Sequence, residues 1–398
     1  MLQGRRIVLG VSGGIAAYKA IEVCRRLTDL GAHVSPVLTP DSLHFVTTTT
    51  FSALAAEPAR TSLWDSPEPS PHTTLGQAAD LVVVCPATSR VLAAYATGLS
   101  DDLLIATLMA TRAPVVMAPA MHTEMWEQPA VQQNVATLRA RGVRMVGPNA
   151  GHLAGGDQGM GRMAEPEEIV AACVEVLAAG ADMAGLQVLV TAGGTREPID
   201  PVRYVGNRSS GKQGHAVADE ARRRGAQVTL ITTADRPAAG GVEVERVETA
   251  AEMEAAVQRH AATADVVVMA AAVADFRPKV AADDKIKKGE GVPEIVLEPT
   301  PDILAGLGAA KRPGQTLVGF AAETSDLLAN AEGKLRRKGL DLIVANDVGA
   351  PGVGFSHDTN AVIIVRADGS RDDVPLTDKR AVARAVLDAV MQTREQHQ

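Results

Sequence analysis

The stretch "VLVTAGGTREPIDPVRYVGNRSSGKQG", residues 188–214, decides the architecture. An apolar strand runs into paired glycines, the usual opening of an α/β domain, yet it does so near the middle of a 398-residue chain. The beginning of the chain explains why. "RRIVLGVSGG" is another apolar strand closing on a glycine turn, followed by the helical "IAAYKAIEVCRRLTDL" and the strand-like "GAHVSPVLT". The same order recurs as "LQVLVTAGG", "HAVADEARRR" and "GAQVTLITT". Each half then carries Ala-Asp before a valine strand, in "ADLVVVCPATS" and "ADVVVMAAAVADF". Strands alternating with helices at this spacing build βαβ units and a parallel sheet. The pattern predicts an α/β protein of two doubly wound, Rossmann-like parallel-sheet domains. The small-residue segment "AAGADMAG", residues 178–185, marks the seam, which divides the chain into domains of 1–180 and 181–398.

The two openings differ in length. The interval from Gly194 to Gly225 is much longer than that from Gly14 to Gly31, and the surplus is "REPIDPVRYVGNRSSGKQG". Ligands of open α/β sheets bind beyond the carboxyl ends of the strands, where this enlarged loop falls. A surface excursion is its plainest reading, but Arg203, Asn207, Ser209, Ser210 and Lys212 within it favour a binding role. Neither turn has the GxGxxG spacing of a dinucleotide site or the GxxxxGK[ST] of a P-loop, so a nicotinamide oxidoreductase ranks low. A glycine turn at a helix N-terminus still takes a single phosphate on free backbone N–H groups.

Composition agrees with this architecture. Hydrophobic residues make up 46%, charged residues 22% and aromatics only 3%, with 36 glycines, which suits buried parallel strands on Ala-rich helices. A net charge of −8 argues against general nucleic-acid or membrane-surface binding. Cys24, Cys85 and Cys173 are scattered, without a CxxC pair, which argues against a disulfide framework or a zinc site. The longest apolar run, Val266 to Ala274, is too short to span a bilayer, and the glycine-rich start shows no apolar leader. A cytoplasmic protein is expected.

Several first-half segments should converge at the strand ends: the turn at Ser12 and Gly14, Thr39, "CPATSR" and "APAMHTEMW". Singly each passes for structural punctuation, since proline often just stops a strand. Together "GVSGGIAAYK", His72, "PAT" at 86–88, "PAMHTEMW" at 119–126 and "GDQGMGRM" at 156–163 resemble the flavoprotein family of homo-oligomeric cysteine decarboxylases, over residues 4–178. The resemblance implies FMN, with its phosphate near Ser12 and Gly14 and further contacts from Thr39, Pro86, Ala87, Thr88 and Ser89. It also implies that His72 is the catalytic histidine. The chemistry accounts for the flavin. An aminoalkyl thiol carboxylate has no electron sink for the carbanion left by CO2, whereas oxidation of the thiol to a thioaldehyde creates one. Decarboxylation then gives an enethiolate and the electrons return, so the net reaction is redox neutral.

The glycine-dense "NAGHLAGGDQGMGRM" reads as a mobile flap over this site. The family pattern places a proton-donating cysteine in the flap, where this chain has Gly155, and an asparagine where it has His122. His152, His122 or water remain alternatives for the donor. His122 is expected near the substrate carboxylate, which would favour its imidazolium. A noncatalytic flavin-binding scaffold is the alternative reading of this half.

In the second half "AAAVADFRP" places Asp275 and Phe276 past a strand, followed by the basic run with Lys285, Lys287 and Lys288. Such runs are usually solvated faces, but a triphosphate needs several cations and often a divalent metal, which Asp275 could help hold. Lys334 and Lys338 share one helix face at i and i+4. The swollen loop, "AAVADFRP", "KIKK", "PDIL", "GFAAE" and "ANDV" together resemble the phosphopantothenate–cysteine ligases over residues 186–395, and the order of the halves matches the bifunctional bacterial family. The resemblance implies CTP, Mg²⁺ and an acyl cytidylate that cysteine resolves with release of CMP. It implies that Asn207 holds the acyl intermediate, with support from Arg203, and it counts Lys285 among the catalytic residues. Contacts to CTP are implied for Ala272, Asp275, Phe276, Lys285, Pro301, Asp302, Ile303, Leu304, Phe320, Lys334 and Lys338, with Asp275 at the metal. Trimeric flavin domains and dimeric ligase domains, together a dodecamer, are implied as well, with small-molecule substrates as the partners.

Overall fold

The computed structural model describes residues 2–65, 67–287, 294–323, 327–347 and 357–396. Lys288 of the basic run therefore lies outside the described residues. The chain forms two compact units, Met1–Gly180 and Ala181–Gln398.

Unit 1 runs β1 (Arg6–Val11), α1 (Ala17–Asp29), β2 (His33–Leu38), α2 (Thr48–Leu54), α3 (Pro71–Ala78), β3 (Leu81–Ala87), α4 (Ser89–Thr97) and α5 (Leu103–Ala110). It continues with β4 (Val115–Pro119), α6 (Thr123–Trp126), α7 (Pro129–Ala140), β5 (Arg144–Met145), β6 (Asn149–His152), β7 (Gln158–Arg162) and α8 (Pro166–Ala179). Its main sheet has the order β2-β1-β3-β4-β5, with all pairings parallel. Successive strand side chains point to opposite faces, so an all-apolar strand must be covered on both. That is the case here. Ile7, Leu9, Val83 and Cys85 enter one core beneath α1 and α8, while Val8, Val82 and Val84 enter a second beneath α4 and α5. Helix α1 buries Ala17, Ala20, Val23, Cys24 and Leu27, the stripe of an amphipathic helix.

Unit 2 runs β8 (Gln187–Ala192), β9 (Arg196–Pro198), β10 (Tyr204–Gly206), α9 (Lys212–Arg223), β11 (Gln227–Thr232), β12 (Val242–Arg246), α10 (Ala250–Ala261), β13 (Val266–Met269) and β14 (Phe276–Pro278). It continues with β15 (Leu297–Pro299), α11 (Ile303–Ala309), β16 (Thr316–Glu323), α12 (Leu327–Arg337), β17 (Leu342–Asp347), β18 (Thr359–Arg366), β19 (Arg371–Asp378) and α13 (Lys379–Gln396). The sheet order is β12-β11-β8-β13-β16-β17-β18-β19. Val188, Val190 and Val268 face one core, and Leu189, Val267 and Met269 the other.

This second sheet departs from an all-parallel expectation at one edge, where β18 pairs antiparallel with both β17 and β19. The cause is local. Asp368 Oδ1 accepts from the Ser370 amide (2.8 Å) and hydroxyl (2.6 Å), and Gly369 takes φ +88°, so the chain reverses without a crossover helix.

Close packing of α9 on β8 needs Gly214. A side-chain carbon there would lie 2.6 Å from Cβ of Ala192 and 2.7 Å from the Thr191 carbonyl oxygen. The helix is thereby drawn onto the strand, and its N-terminus stays at the sheet's carboxyl edge.

Candidate active sites

In unit 1, β1 passes straight through Ser12–Gly13–Gly14 into α1. Ser12 Oγ is buried and donates to the Pro86 carbonyl (2.7 Å), and the Thr88 amide donates back to it (3.2 Å). The first turn is thus fixed to the turn after β3, where Thr88 precedes α4 and Ser89 opens it. A side-chain carbon at Gly13 would press into the backbone of Asp41 at 2.8 Å, so the turn lies against the segment following Thr39. Thr39 is buried, and its Oγ1 has no hydrogen-bond partner. The cost of an orphaned buried hydroxyl, about 1–3 kcal/mol, is recovered only when something supplies a partner. His72, in the first turn of α3, likewise has a buried Nδ1 without a partner.

The predicted flap is an ordered antiparallel hairpin, β6 with β7. Its glycines let it dock on the segment from Met121 to Thr123: the Met121 amide donates to the Gly161 carbonyl (3.0 Å), and Gly159 leaves room only for the Thr123 side chain. Its base is held by the start of α8. Asn149 donates to Glu168 Oε2 (2.8 Å), while Arg162 and Lys19 both pair with Glu165, Lys19 at 2.9 Å. The hydrogen bond from Lys19 keeps the Glu165 carboxyl below its usual range. His122 stands at the N-cap position of α6 without a side-chain capping bond, its Nδ1 4.0 Å from Asp157 Oδ2 in the hairpin turn. A side-chain carbon at Gly155 would lie 2.8 Å from Cε1 of His122. The histidine ring therefore borders the space that a flap side chain would use, so the two departures from the family pattern adjoin in space.

In unit 2 the long first loop has structure of its own, the β9–β10 ladder. Asn207 Nδ2 donates to the Val273 carbonyl (3.0 Å), tying the loop to the segment after β13. Asp200 is buried and accepts from the amides of Val202 and Arg203, both at 2.8 Å, and of Ile286 at 3.3 Å. Burial pushes its carboxyl up, but these amides and the Arg203 guanidinium outweigh that and hold it low. Arg203 bonds Asp200 (2.9 Å) and the Ile286 carbonyl (2.6 Å), so it braces the loop against the Lys285 segment.

A cavity of about 600 Å³ opens at these strand ends. Of the residues predicted for this half, it gathers Asn207, Ala272, Asp275, Pro301, Asp302, Ile303, Leu304, Phe320, Lys334 and Lys338. Arg203, Phe276 and Lys285 are not among its walls; Phe276 and Lys285 are exposed. Asp302 caps α11 through the Ala305 amide (3.0 Å) and pairs with Lys338 (3.0 Å). Burial raises its carboxyl, but these two partners more than offset that and leave it low. Lys212, Asn346, Asn360 and Lys379 also line the cavity. The first was visible as loop content. Lys379 gave no signal, because a lysine opening a helix reads as solvated. Among the described residues, no group of three or more His, Cys, Asp or Glu side chains could hold a metal ion.

Two open sheets, each with polar groups gathered beyond the carboxyl ends of its strands, define a pair of fused small-molecule enzyme domains. Residues 1–178 match the family model described as Flavoprotein. Residues 183–393 match the DNA/pantothenate metabolism flavoprotein C-terminal domain. The coenzyme A biosynthesis bifunctional protein CoaBC of Mycobacterium tuberculosis (strain ATCC 25618 / H37Rv) is 50% identical over 403 residues, covering 97% of this chain and 96% of that protein. The protein of the same name from Bacillus subtilis (strain 168) is 43% identical, covering 98% and 97%. A crystal structure of the C-terminal domain of a CoaBC protein is 40% identical, covers 54% of this chain and 99% of that one, and superposes with a TM-score of 0.47. The chain belongs to the family of coenzyme A biosynthesis bifunctional proteins.

The unit 1 residues fit a flavin. The orphaned Thr39 hydroxyl and the open approach to Gly14 together leave a polar cradle at the strand ends.

Proposed function

We propose that this chain catalyses two successive steps of coenzyme A synthesis, one in each unit. Residues 181–398 join 4'-phosphopantothenate to cysteine with CTP, and residues 1–180 decarboxylate the resulting phosphopantothenoylcysteine to 4'-phosphopantetheine with FMN. One observation carries the reading: a single chain matches both family models, and each matched half holds a polar site at its own strand ends.

In unit 1, Ser12, Gly14, Thr39 and the Pro86–Ser89 turn hold FMN, which supplies a reversible two-electron sink for the thiol. His72 supplies a buried nitrogen for proton transfer, and His122 binds the substrate carboxylate. The β6–β7 hairpin keeps water out. In unit 2, Asn207 presents its side-chain amide to the acyl group. Lys334, Lys338 and the 301–304 segment take the nucleotide, and Arg203 positions the loop and the Lys285 segment. Phe276 and Lys285 act from beyond the cavity wall, on the bound nucleotide. Asp275 is a single carboxylate, which suits a Mg²⁺ that keeps its waters and takes phosphate oxygens as its other ligands.

Among the described residues no helix is long and apolar enough to cross a membrane. The buried free thiols of Cys24, Cys85 and Cys173 suit a reducing cytoplasm. Exposed Ile15, Tyr18 and Phe45 in unit 1, and Val202, Tyr204 and Phe276 in unit 2, support a homo-oligomer, which we take to be a dodecamer.

The test is a mass-resolved product analysis with phosphopantothenate, CTP, Mg²⁺ and cysteine, without added flavin. Joint appearance of phosphopantetheine, CO2 and CMP is expected. Accumulation of phosphopantothenoylcysteine by flavin-loaded protein would instead make unit 1 a noncatalytic flavin-binding scaffold.

A further inference from the structure

The motif "TREP", residues 195–198, opens the enlarged loop of unit 2, and none of its side chains lines the cavity. Thr195 and Glu197 are buried while Arg196 and Pro198 are exposed, the alternation of a strand with one covered face. A glutamate rarely goes under cover unless a partner meets its charge. Both covered side chains accept backbone amides from other parts of the unit. Thr195 Oγ1 takes the Ala274 amide and Glu197 Oε1 takes the Ala250 amide, each at 2.9 Å. On the exposed face the Arg196 guanidinium lies 5.5 Å from the centre of the Tyr204 ring, across the β9–β10 ladder.

The Glu197 contact is more than a helix cap. Thr249 and Glu252 already close the start of α10 with their own capping box, so Glu197 takes an amide beyond it and ties β9 to the helix. On the other side, Ala274 belongs to the 272–275 segment that forms one wall of the cavity. The Ala272 amide donates to the Gly193 carbonyl (2.8 Å), and the Thr195 amide donates to the Ala272 carbonyl (3.3 Å). This wall is thus fastened to the first turn by main chain and by the Thr195 side chain. Val205 of β10 stands opposite Glu197, and Asn207 follows directly after β10. The loop that carries Asn207 and the wall that carries Asp275 therefore meet at two side chains on one face of three residues.

We propose that Thr195 and Glu197 are positioning residues for the ligase step, setting the place of Asn207 against the 272–275 wall. Neither touches substrate. They hold the enlarged loop, whose length alone would leave it many conformations, in one arrangement before the acyl group arrives. Polar groups fixed beforehand lose no binding energy to being ordered. The inference rests on the ligase reading for the role of Asn207, and on the geometry alone for what holds the loop.

Rates of CMP release at varied CTP, together with amide deuteration of the ligand-free full chain, test it. Thr195→Val keeps the side-chain shape and removes the acceptor, and Glu197→Leu removes the carboxylate. Each should lower kcat roughly ten- to a hundredfold, the scale of a small misplacement of a catalytic group. KM for CTP should change little, because Lys334, Lys338 and the 301–304 segment are untouched. Thr195→Ser and Glu197→Gln retain an acceptor oxygen and should recover most of the rate. Deuterium uptake at residues 204–209 should rise in the first two variants while β8 and β13 stay slow. Unchanged kcat in folded Thr195→Val and Glu197→Leu overturns the proposal, whether or not the loop exchanges faster. Faster exchange throughout unit 2, or no rescue by Thr195→Ser and Glu197→Gln, overturns it as well, since the residues would then be merely structural. Should Glu197→Leu fail to fold, Thr195→Val carries the decision. Wild-type protein that releases no CMP would refute the ligase reading, and exchange at residues 204–209 would still decide whether these two side chains hold the loop.

Discussion

The two units begin with the same strand, turn and helix but build their sites from this beginning in opposite ways. In unit 1 the turn is short and locked, with Ser12 tied to the Pro86 and Thr88 backbone. The polar groups come from neighbouring strand ends, and the cover comes from a distant hairpin. In unit 2 the turn itself grows outward, folds into β9–β10 and fastens to the next strand's loop through Asn207. The sheet edge is the same, but in one unit other segments converge on the turn and in the other the turn reaches out to them. A substitution in the unit 2 loop should therefore also disturb the tie that Asn207 makes to the segment after β13.

The largest expected effect belongs to His72. His72→Gln should lower decarboxylation by about 10²–10⁴, the range for loss of a positioned acid or base, with CMP release unchanged. Loss of both activities together would break the proposed division of labour.

Next is Gly194, where a side-chain carbon would lie 2.5 Å from the Asn207 carbonyl oxygen. Gly194→Val should displace the loop and lower CMP release about a hundredfold, as expected when a catalytic group moves by an ångström, while supplied phosphopantothenoylcysteine is still decarboxylated. Normal ligase turnover in that variant would show that the loop tolerates movement.

A smaller effect is expected at Gly155. Gly155→Val drives a side chain toward His122 and should slow decarboxylation roughly tenfold, the loss of about one hydrogen bond's worth of positioning. Gly155→Val in a His122→Ala background should cost less, because the ring it strikes is gone. Equal losses in the two backgrounds would mean that the contact is incidental.

The smallest effect concerns the thiols. Burial pushes Cys24 up to about 11 and Cys173 up to about 12, and raises Cys85 well above its usual value. Because the thiolate is the nucleophile, folded protein near pH 8 should leave a thiol reagent unreacted until denaturant is added. The sign of the linkage follows: the unfolded chain ionises first, so stability is full below the ordinary thiol range and falls as pH rises above it.

Much of this was legible in the sequence, for physical reasons. Apolar runs such as "LVVVC" have to be covered on both faces, and glycines before a helix mark the site edge. The antiparallel edge was missed although Asp368-Gly369 carried a hairpin signal, because the valine-rich β18 reads equally well as a parallel strand. Gly155 and His122 stood out singly; that they adjoin depends on the hairpin folding back over α6, and no local pattern records such a contact. Lys379 was invisible because the residue type argues for exposure and only the tertiary fold buries it.

Glu165 has a further consequence. This single carboxylate begins α8, takes Lys19 from α1 and takes Arg162 from the hairpin. Cover and scaffold therefore meet at one charge, so lifting the hairpin breaks the Arg162–Glu165 pair and loosens the first turn of α8. Slow amide deuteration at Glu168 and Ile169 would then serve as a remote gauge of how often the site opens, readable even when nothing is bound or turning over.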